Sequence, residues 1–247
     1  MNDAIQIKNL SFGYKGSALP LINDLNLSIR QGDRFGIFGP NGAGKTTLMH
    51  LMTGLLPYSR GSVVLLGQEI KNHRRKLNRC FGVVPQDFSF YSELSPVENL
   101  AFFGAWAGLS RQQIRSKTDE LLQIMSLTAV RDKPVHKFSG GMKRRVNLAI
   151  GVIHEPRILF LDEPTVGVDI QTRYAIITYL KNLNKKGTTL VYTSHHLKEA
   201  EDLCQTVAMI DEGNILVNDN LQNLLTNHRQ DGLEGLFLDL TGRAYRD

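Results

Sequence analysis

Eight consecutive residues constrain this chain more than any other stretch: Gly39-Pro-Asn-Gly-Ala-Gly-Lys45-Thr46. They follow Arg34-Phe-Gly-Ile-Phe38, a short apolar run that reads as a buried strand, and precede Thr47-Leu-Met-His-Leu-Met52, which reads as the first turns of a helix. The pattern is GxxxxGK[ST] in the context it requires. Glycines let successive backbone N–H groups turn inward on an anion, and the helix N-terminus adds a favourable dipole. Gly39, Asn41, Gly42, Ala43 and Gly44 therefore form a cradle for phosphates. Lys45 is expected to contact the β- and γ-phosphates of a nucleotide, the Thr46 hydroxyl to ligate Mg²⁺ and Thr47 to reach the α-phosphate.

Around the loop, segments alternate in type as they do in α/β proteins. Ile5–Ile7 and Leu25–Ile29 alternate apolar and polar, and Val63–Gly67 and Phe81–Val84 read as further strands. From Pro96 to about Leu127 the pattern turns helical, with Ser110-Arg-Gln-Gln as a capped helix start. Strands resume at Ile158–Leu161 and Thr189–Thr193, and Val207–Ile210 with Ile215–Val217 reads as a hairpin. No repeat or low-complexity linker divides the 247 residues, so one domain with a helical insertion is the economical division.

Composition narrows the class. With 42% hydrophobic and 21% charged residues, wholesale disorder is excluded. Cys80 and Cys204 make neither a disulfide framework nor a CxxC pair, which favours a reducing compartment. The longest apolar stretch, Leu100–Leu109, is shorter than the roughly 18 residues a membrane span needs, and the N-terminus lacks a signal-peptide pattern. The expectation is a chain that neither crosses a membrane nor is exported by the usual route. A net charge of +5 permits an anionic partner without demanding one.

Guanine specificity is disfavoured. Asn184-Lys-Lys-Gly187 is a near miss for the guanine-reading Asn-Lys-x-Asp, with glycine where the aspartate should be, and a solvated helix-end turn accounts for it. Ile158-Leu-Phe-Leu-Asp162-Glu163 is an apolar strand delivering two acids at its carboxyl end. Downstream of a phosphate loop, Asp162 fits a Mg²⁺ ligand and Glu163 a general base for an attacking water.

Between these motifs stands Phe138-Ser-Gly-Gly-Met142, just before a helix. Here the sequence resembles the ATP-binding subunit of an ATP-binding-cassette (ABC) transporter, whose signature reads Leu-Ser-Gly-Gly-Gln. The other family elements have matches in order along nearly the whole chain. The resemblance implies that Tyr14 stacks on adenine, that Gln86 is the Q-loop glutamine sensing Mg²⁺ or the γ-phosphate, that Asp169 belongs to the D-loop, and that His195 is the switch histidine. It further implies that Ser139, Gly140 and Gly141 close over the ATP of a second cassette, two copies packing head to tail. The implied fold is a P-loop NTPase (RecA-like) core with an antiparallel β subdomain and an α-helical subdomain inserted between Q-loop and signature. Residues 1–89 and 151–220 would form the core, 90–150 the helical signature subdomain and 221–247 a C-terminal tail.

Phe138 in place of leucine and Met142 in place of glutamine depart from the signature. Gly-Gly-Met-Lys-Arg-Arg, Glu-Pro-Thr-Val-Gly-Val-Asp and the ending from Leu233 are similar to subunits paired with ABC-2 type permeases, which mostly export drugs, lipids or polysaccharides. The resemblance thus implies ATP and Mg²⁺ as ligands and an integral membrane permease and a second ATP-binding subunit (a homodimer) as partners. The implied place is peripheral, at the cytoplasmic face of the cell membrane. Phe88, Phe90 and Tyr91 are candidates to line a groove for a permease helix, while most of Leu100–Ala107 is expected in the insertion's own core. Lys71–Arg79 reads as a solvated basic helix face, and without interleaved aromatics nucleic acid is not expected there. The alternative is a soluble ABC ATPase acting on nucleic acid or the ribosome. Neither a heptad run nor a second cassette supports it. A degenerate regulatory cassette conflicts with the presence of both Glu163 and His195.

Overall fold

The computed structural model describes residues 2–16, 19–194 and 197–242. From the N-terminus the chain runs β1 (Asp3–Phe12), β2 (Ile22–Arg30), β3 (Arg34–Phe38), α1 (Lys45–Met52), β4 (Arg60–Leu65), β5 (Gln68–Glu69) and α2 (Ile70–Leu77). It continues through β6 (Phe81–Val84), α3 (Pro96–Trp106), α4 (Arg111–Ile124), α5 (Gly140–Val152), β7 (Ile158–Asp162) and α6 (Ile170–Lys185). It ends with β8 (Thr189–Thr193), α7 (Leu197–Leu203), β9 (Thr206–Asp211), β10 (Asn214–Asn220), α8 (Leu221–His228) and α9 (Leu233–Thr241). Two compact units result, Met1–Leu77 with Asn184–Asp247, and Asn78–Leu183.

In the first unit, β2, β1, β4 and β5 form an antiparallel sheet in that order. The alternation read in the sequence sets its buried face: Ile22, Leu25, Leu27 and Ile29 are buried on β2 while Asn26 and Ser28 face out. Each side chain of this size stabilises by about 1.5–3 kcal/mol when fully removed from water. A second set of strands in the same unit centres on β3, which pairs in parallel with β8 and β9, and β10 pairs antiparallel with β9 as the predicted hairpin. Phe35, Ile37 and Phe38 are fully buried, so the strand that feeds the glycine loop is anchored on both sides.

Asn184, from the near-miss guanine element, serves the backbone instead. Its Nδ2 donates to the carbonyls of Gly32 at 2.8 Å and Thr188 at 2.9 Å, and the Gly187 N–H donates to the Asn184 carbonyl at 2.8 Å. The basic run lies on α2, which is broken at His73, and Lys71, Arg74, Arg75 and Lys76 are exposed on it as expected. The Lys71 ammonium sits 3.8 Å from the centre of the Tyr58 ring.

The second unit carries β6 and β7 in parallel, each buried, with α3 packing on both α4 and α5 and α5 lying against β6. That last approach is close because both elements present glycine: a methyl group on Gly82 would collide with the Gly151 carbonyl, and one on Gly151 with Val84. Capping boxes start α3 at Ser95/Glu98 and α4 at Ser110/Gln113, the second at the position the sequence indicates. The expectation that Leu100–Ala107 fills the core is corrected in part. Leu100 and Gly104 are buried, but Phe102 is 46% and Trp106 77% exposed. Helical periodicity turns positions 102 and 106 to the same outer face.

Candidate nucleotide site

The glycine loop is built by β3 and α1 of the first unit. Gly42 (φ 83°) and Gly44 (φ 102°) occupy the left-handed region, where a side chain would strain the backbone. The helix opens with no side-chain cap on its N-terminus and no acidic residue in its first turn. Its partial positive charge is therefore not offset by a carboxylate of its own, which suits an anion. Lys45 is buried, and its Nζ donates to the carbonyls of Gly39 at 2.8 Å and Pro40 at 3.0 Å, folding the ammonium across the loop. Tyr14 is brought to the same place: its hydroxyl lies 3.1 Å from Thr47 Oγ1, its ring packs edge-on against Phe12, and it stays about half exposed. An exposed ring steadied at both its edge and its hydroxyl can serve as a platform for a flat apolar group.

In the second unit, β7 delivers Asp162 and Glu163 at its carboxyl end, both buried. Glu163 adopts a left-handed backbone (φ 49°), uncommon outside glycine and of the kind that clusters at working sites. Gln86, just past β6, donates from Nε2 to Glu163 Oε2 at 3.0 Å.

The signature residues of the same unit form a helix start. Ser139 caps α5, its Oγ accepting from the Met142 N–H at 3.3 Å. Phe138 is buried, so the phenylalanine that replaces leucine occupies an apolar position of similar character. Asp169 caps α6 by accepting from the Thr172 N–H at 2.9 Å and the Thr172 hydroxyl at 2.8 Å. These bonds, the backbone one foremost, hold its carboxyl below the usual range. A side chain on Gly141 would come within 3.2 Å of Thr172 Oγ1 and 3.5 Å of Asp169 Oδ2. The structure thus brings together Tyr14 with Thr47, Gln86 with Glu163, and Gly141 with Asp169, while His195 lies outside the described residues.

Two residues of this neighbourhood escape the motif reading. Arg144 and Asn147 are buried on α5. Arg144 Nη1 donates to the carbonyls of Gln86 at 2.9 Å and Pro85 at 3.2 Å, and its guanidinium carbon lies 4.9 Å from the centre of the Phe88 ring. Asn147 donates from Nδ2 to the Pro85 carbonyl at 3.2 Å and accepts at Oδ1 from the Ser89 N–H at 3.2 Å and hydroxyl at 3.1 Å. Burial pulls the guanidinium below its ordinary value, while the charges of Asp87 and Glu163 act the other way. The signal was present as a period: Arg144 falls on the helix face of Gly141, Leu148 and Gly151, all buried.

Comparison with known proteins decides the family. The family model described as "ABC transporter" matches residues 22–166. The chain belongs to the ABC transporter family. It is 36% identical over 212 residues to the linearmycin resistance ATP-binding protein LnrL of Bacillus subtilis (strain 168), covering 86% of this chain and 68% of that one. It is 37% identical over 213 residues to the Nod factor export ATP-binding protein I of Cupriavidus metallidurans (86% and 70%). A solved ATP-binding subunit of an ABC transporter superposes with a TM-score of 0.89 at 26% identity, covering 96% of this chain and 99% of that one. The cbiO1 protein of Clostridium perfringens, part of the cbiONQ complex, gives 0.82 at 27% identity, covering 92% of each. This ABC chain therefore has the mixed α/β P-loop NTPase fold, binds ATP and is an ATPase coupled to transport. Among the described residues no helix is long and apolar enough to cross a membrane.

Proposed function

We propose that this chain is the ATP-hydrolysing subunit of an export system, working in pairs on a separate membrane permease. The single observation that carries the reading is the hydrogen bond from exposed Gln86 to buried Glu163, a base candidate held at the end of β7 by the glutamine of the loop that leads to the helical insertion. The direction of transport is supported by the relatives named for Nod factor export and linearmycin resistance. Drugs, lipids and polysaccharides are the substrate classes that fit.

In this reading Tyr14 carries the adenine. The loop N–H groups from Gly39 to Gly44 hold the phosphates, Lys45 the β- and γ-phosphates and Thr47 the α-phosphate. Ser139, Gly140, Gly141 and Asp169 serve the nucleotide of a second copy. The Thr46 hydroxyl, the Asp162 carboxylate and the Gln86 amide oxygen are oxygen donors, the type Mg²⁺ takes. Among the described residues there is no group of three or more His, Cys, Asp or Glu that could hold a metal. That suits a cation bound through few side chains with phosphate and water as its other ligands. When bound, Mg²⁺ would neutralise charge on the phosphates. Glu163 accepts the proton of the attacking water, Gln86 holds its carboxylate in place, and His195 steadies the γ-phosphate.

Exposed aromatic surface supports the membrane partner. Phe88 stacks on Phe90, Tyr91 packs edge-on against Phe102, and Phe88, Tyr91, Phe102 and Trp106 are all exposed. The test of the catalytic half is MgATP turnover by the full chain beside its Glu163→Gln variant. Turnover that the substitution removes, with a dimer appearing on size exclusion in ATP, is expected. Equal turnover by the two would overturn the assignment.

A further inference from the structure

Beyond the residues given roles above, we infer that Arg144 is a positioning residue that ties the signature helix to the catalytic base through Gln86. The inference rests on the proposed roles of Gln86 and Glu163. Its own ground is a chain of contacts inside one compact unit. Ser139 caps the N-terminus of α5, and Arg144 lies in the second turn of the same helix. Its Nη1 donates to the carbonyls of Pro85 and Gln86 at 3.2 and 2.9 Å. The Gln86 side chain then donates to Glu163 Oε2 at 3.0 Å. Two hydrogen-bond steps therefore join the signature turn to the carboxylate that takes the proton.

Burial makes the first step unlike an ordinary surface contact. Arg144 is only 5% exposed, yet among the described residues it forms no ion pair at hydrogen-bond distance, and its hydrogen bonds there are to backbone carbonyls. A desolvated guanidinium is costly unless hydrogen-bonded, and its Nε is buried with no hydrogen-bond partner among the described residues, so the two bonds from Nη1 are what hold it to these carbonyls. The Phe88 ring over its face fixes it on the other side. Asn147, one turn on, clamps the same loop at Pro85 and Ser89. The loop that bears Gln86 is thus held by α5 at both ends, and a movement of the signature helix is transmitted to Gln86 as a backbone shift. A shift of this kind near a reacting group costs up to about 10²-fold in rate per ångström.

The role predicts a split that a merely structural arginine would not give. In the full chain, Arg144→Gln lowers kcat for MgATP by roughly 10- to 100-fold while the Kd for ATP, read without turnover by calorimetry, changes by less than about 3-fold. Arg144→Lys keeps the charge but not the planar group over the Phe88 ring, and recovers only part of kcat. The deciding measurement is a double-mutant cycle with Gln86→Ala: if Arg144 acts through Gln86, Arg144→Gln costs several-fold less in that background. Additive losses, or an ATP affinity that falls in step with kcat, would overturn the inference and leave the proposed function standing. Absence of MgATP turnover in the wild-type chain assembled with its membrane partner would overturn both. Should Arg144→Gln fail to fold, Asn147→Ser tests the same clamp from its other end, with a smaller loss of kcat that again shrinks when Gln86 is alanine.

Discussion

The side-chain amide of Gln86 donates to the carboxylate of Glu163 at 3.0 Å, between two residues that lie 77 positions apart in the chain. Glu163 cannot turn freely toward solvent while that bond holds, so its carboxylate is presented in one orientation. Glu163→Gln keeps the size and an oxygen that can accept from Gln86, but it cannot take a proton. Turnover is expected to fall by about 10²–10⁴-fold with ATP binding retained and an ATP-bound dimer accumulating. A phosphate-release assay paired with size exclusion reads both quantities.

Lys45 folds across the loop onto the Gly39 and Pro40 carbonyls at 2.8 and 3.0 Å. Its ammonium is therefore held across the glycine loop, where the proposed function puts the phosphates. Lys45→Ala removes the cation proposed to meet the phosphates and the two bonds it gives to those carbonyls. ATP affinity is expected to drop by about 10-fold or more, corresponding to the roughly 1.5–3 kcal/mol of a charged hydrogen bond. Titration with a fluorescent ATP analogue measures it.

Tyr14 separates a ring role from a hydroxyl role. Its hydroxyl meets Thr47 and its ring is half exposed. Tyr14→Phe retains the platform and should bind ATP within about 3-fold of wild type, whereas Tyr14→Ala loses a stacking contact of about 0.5–1.5 kcal/mol and should bind up to about 10-fold more weakly. Equal losses in the two variants would move the role from the ring to the hydroxyl.

What the sequence made legible was local and periodic. The strand–loop–helix around Gly39–Thr46, the buried strand ending at Asp162, the capped start at Ser110 and the hairpin of β9 and β10 were all readable, because each is specified by neighbours a few residues away. Contacts that depend on distant pairing were not. Nothing near Arg144 announces that its guanidinium bonds Pro85 and Gln86, 59 and 58 residues earlier. Nothing near Phe102 and Trp106 shows that their face of α3 lacks a cover, since an apolar helix reads as core until its packing partners are known. The short strand β5 fell below the length at which alternation is visible. Asn184 was readable as a helix-end turn residue rather than part of a ligand-reading motif, but its bond to the Gly32 carbonyl far upstream was not.

The α3 capping box makes stability pH-dependent in a stated direction. The Glu98 carboxylate accepts from the Ser95 N–H at 2.8 Å and hydroxyl at 2.7 Å, and these bonds, the backbone one foremost, hold its carboxyl below the usual range. A group whose folded value is lowered stabilises fully above its unfolded value, and that contribution is lost as pH falls through the folded value. Stability should therefore decline as pH falls below about 4.3, and Glu98→Gln should flatten that decline. Ser95→Ala, which removes the hydroxyl that accepts from the Glu98 N–H, should cost about 1 kcal/mol at neutral pH. Urea midpoints across the pH range give both values.

In the proposed function the exposed aromatic face is where the membrane partner docks. The measurement that tests the account most directly is to tag the full chain, solubilise its native membranes gently and identify what co-purifies, with Phe90→Ala/Tyr91→Ala as the companion variant. The account predicts an integral membrane protein in stoichiometric amount, retained by the wild type and lost or much reduced in the variant, whose thermal unfolding stays close to wild type. Recovery of the chain only from the soluble fraction, bound to ribosomes or nucleic acid, would contradict it.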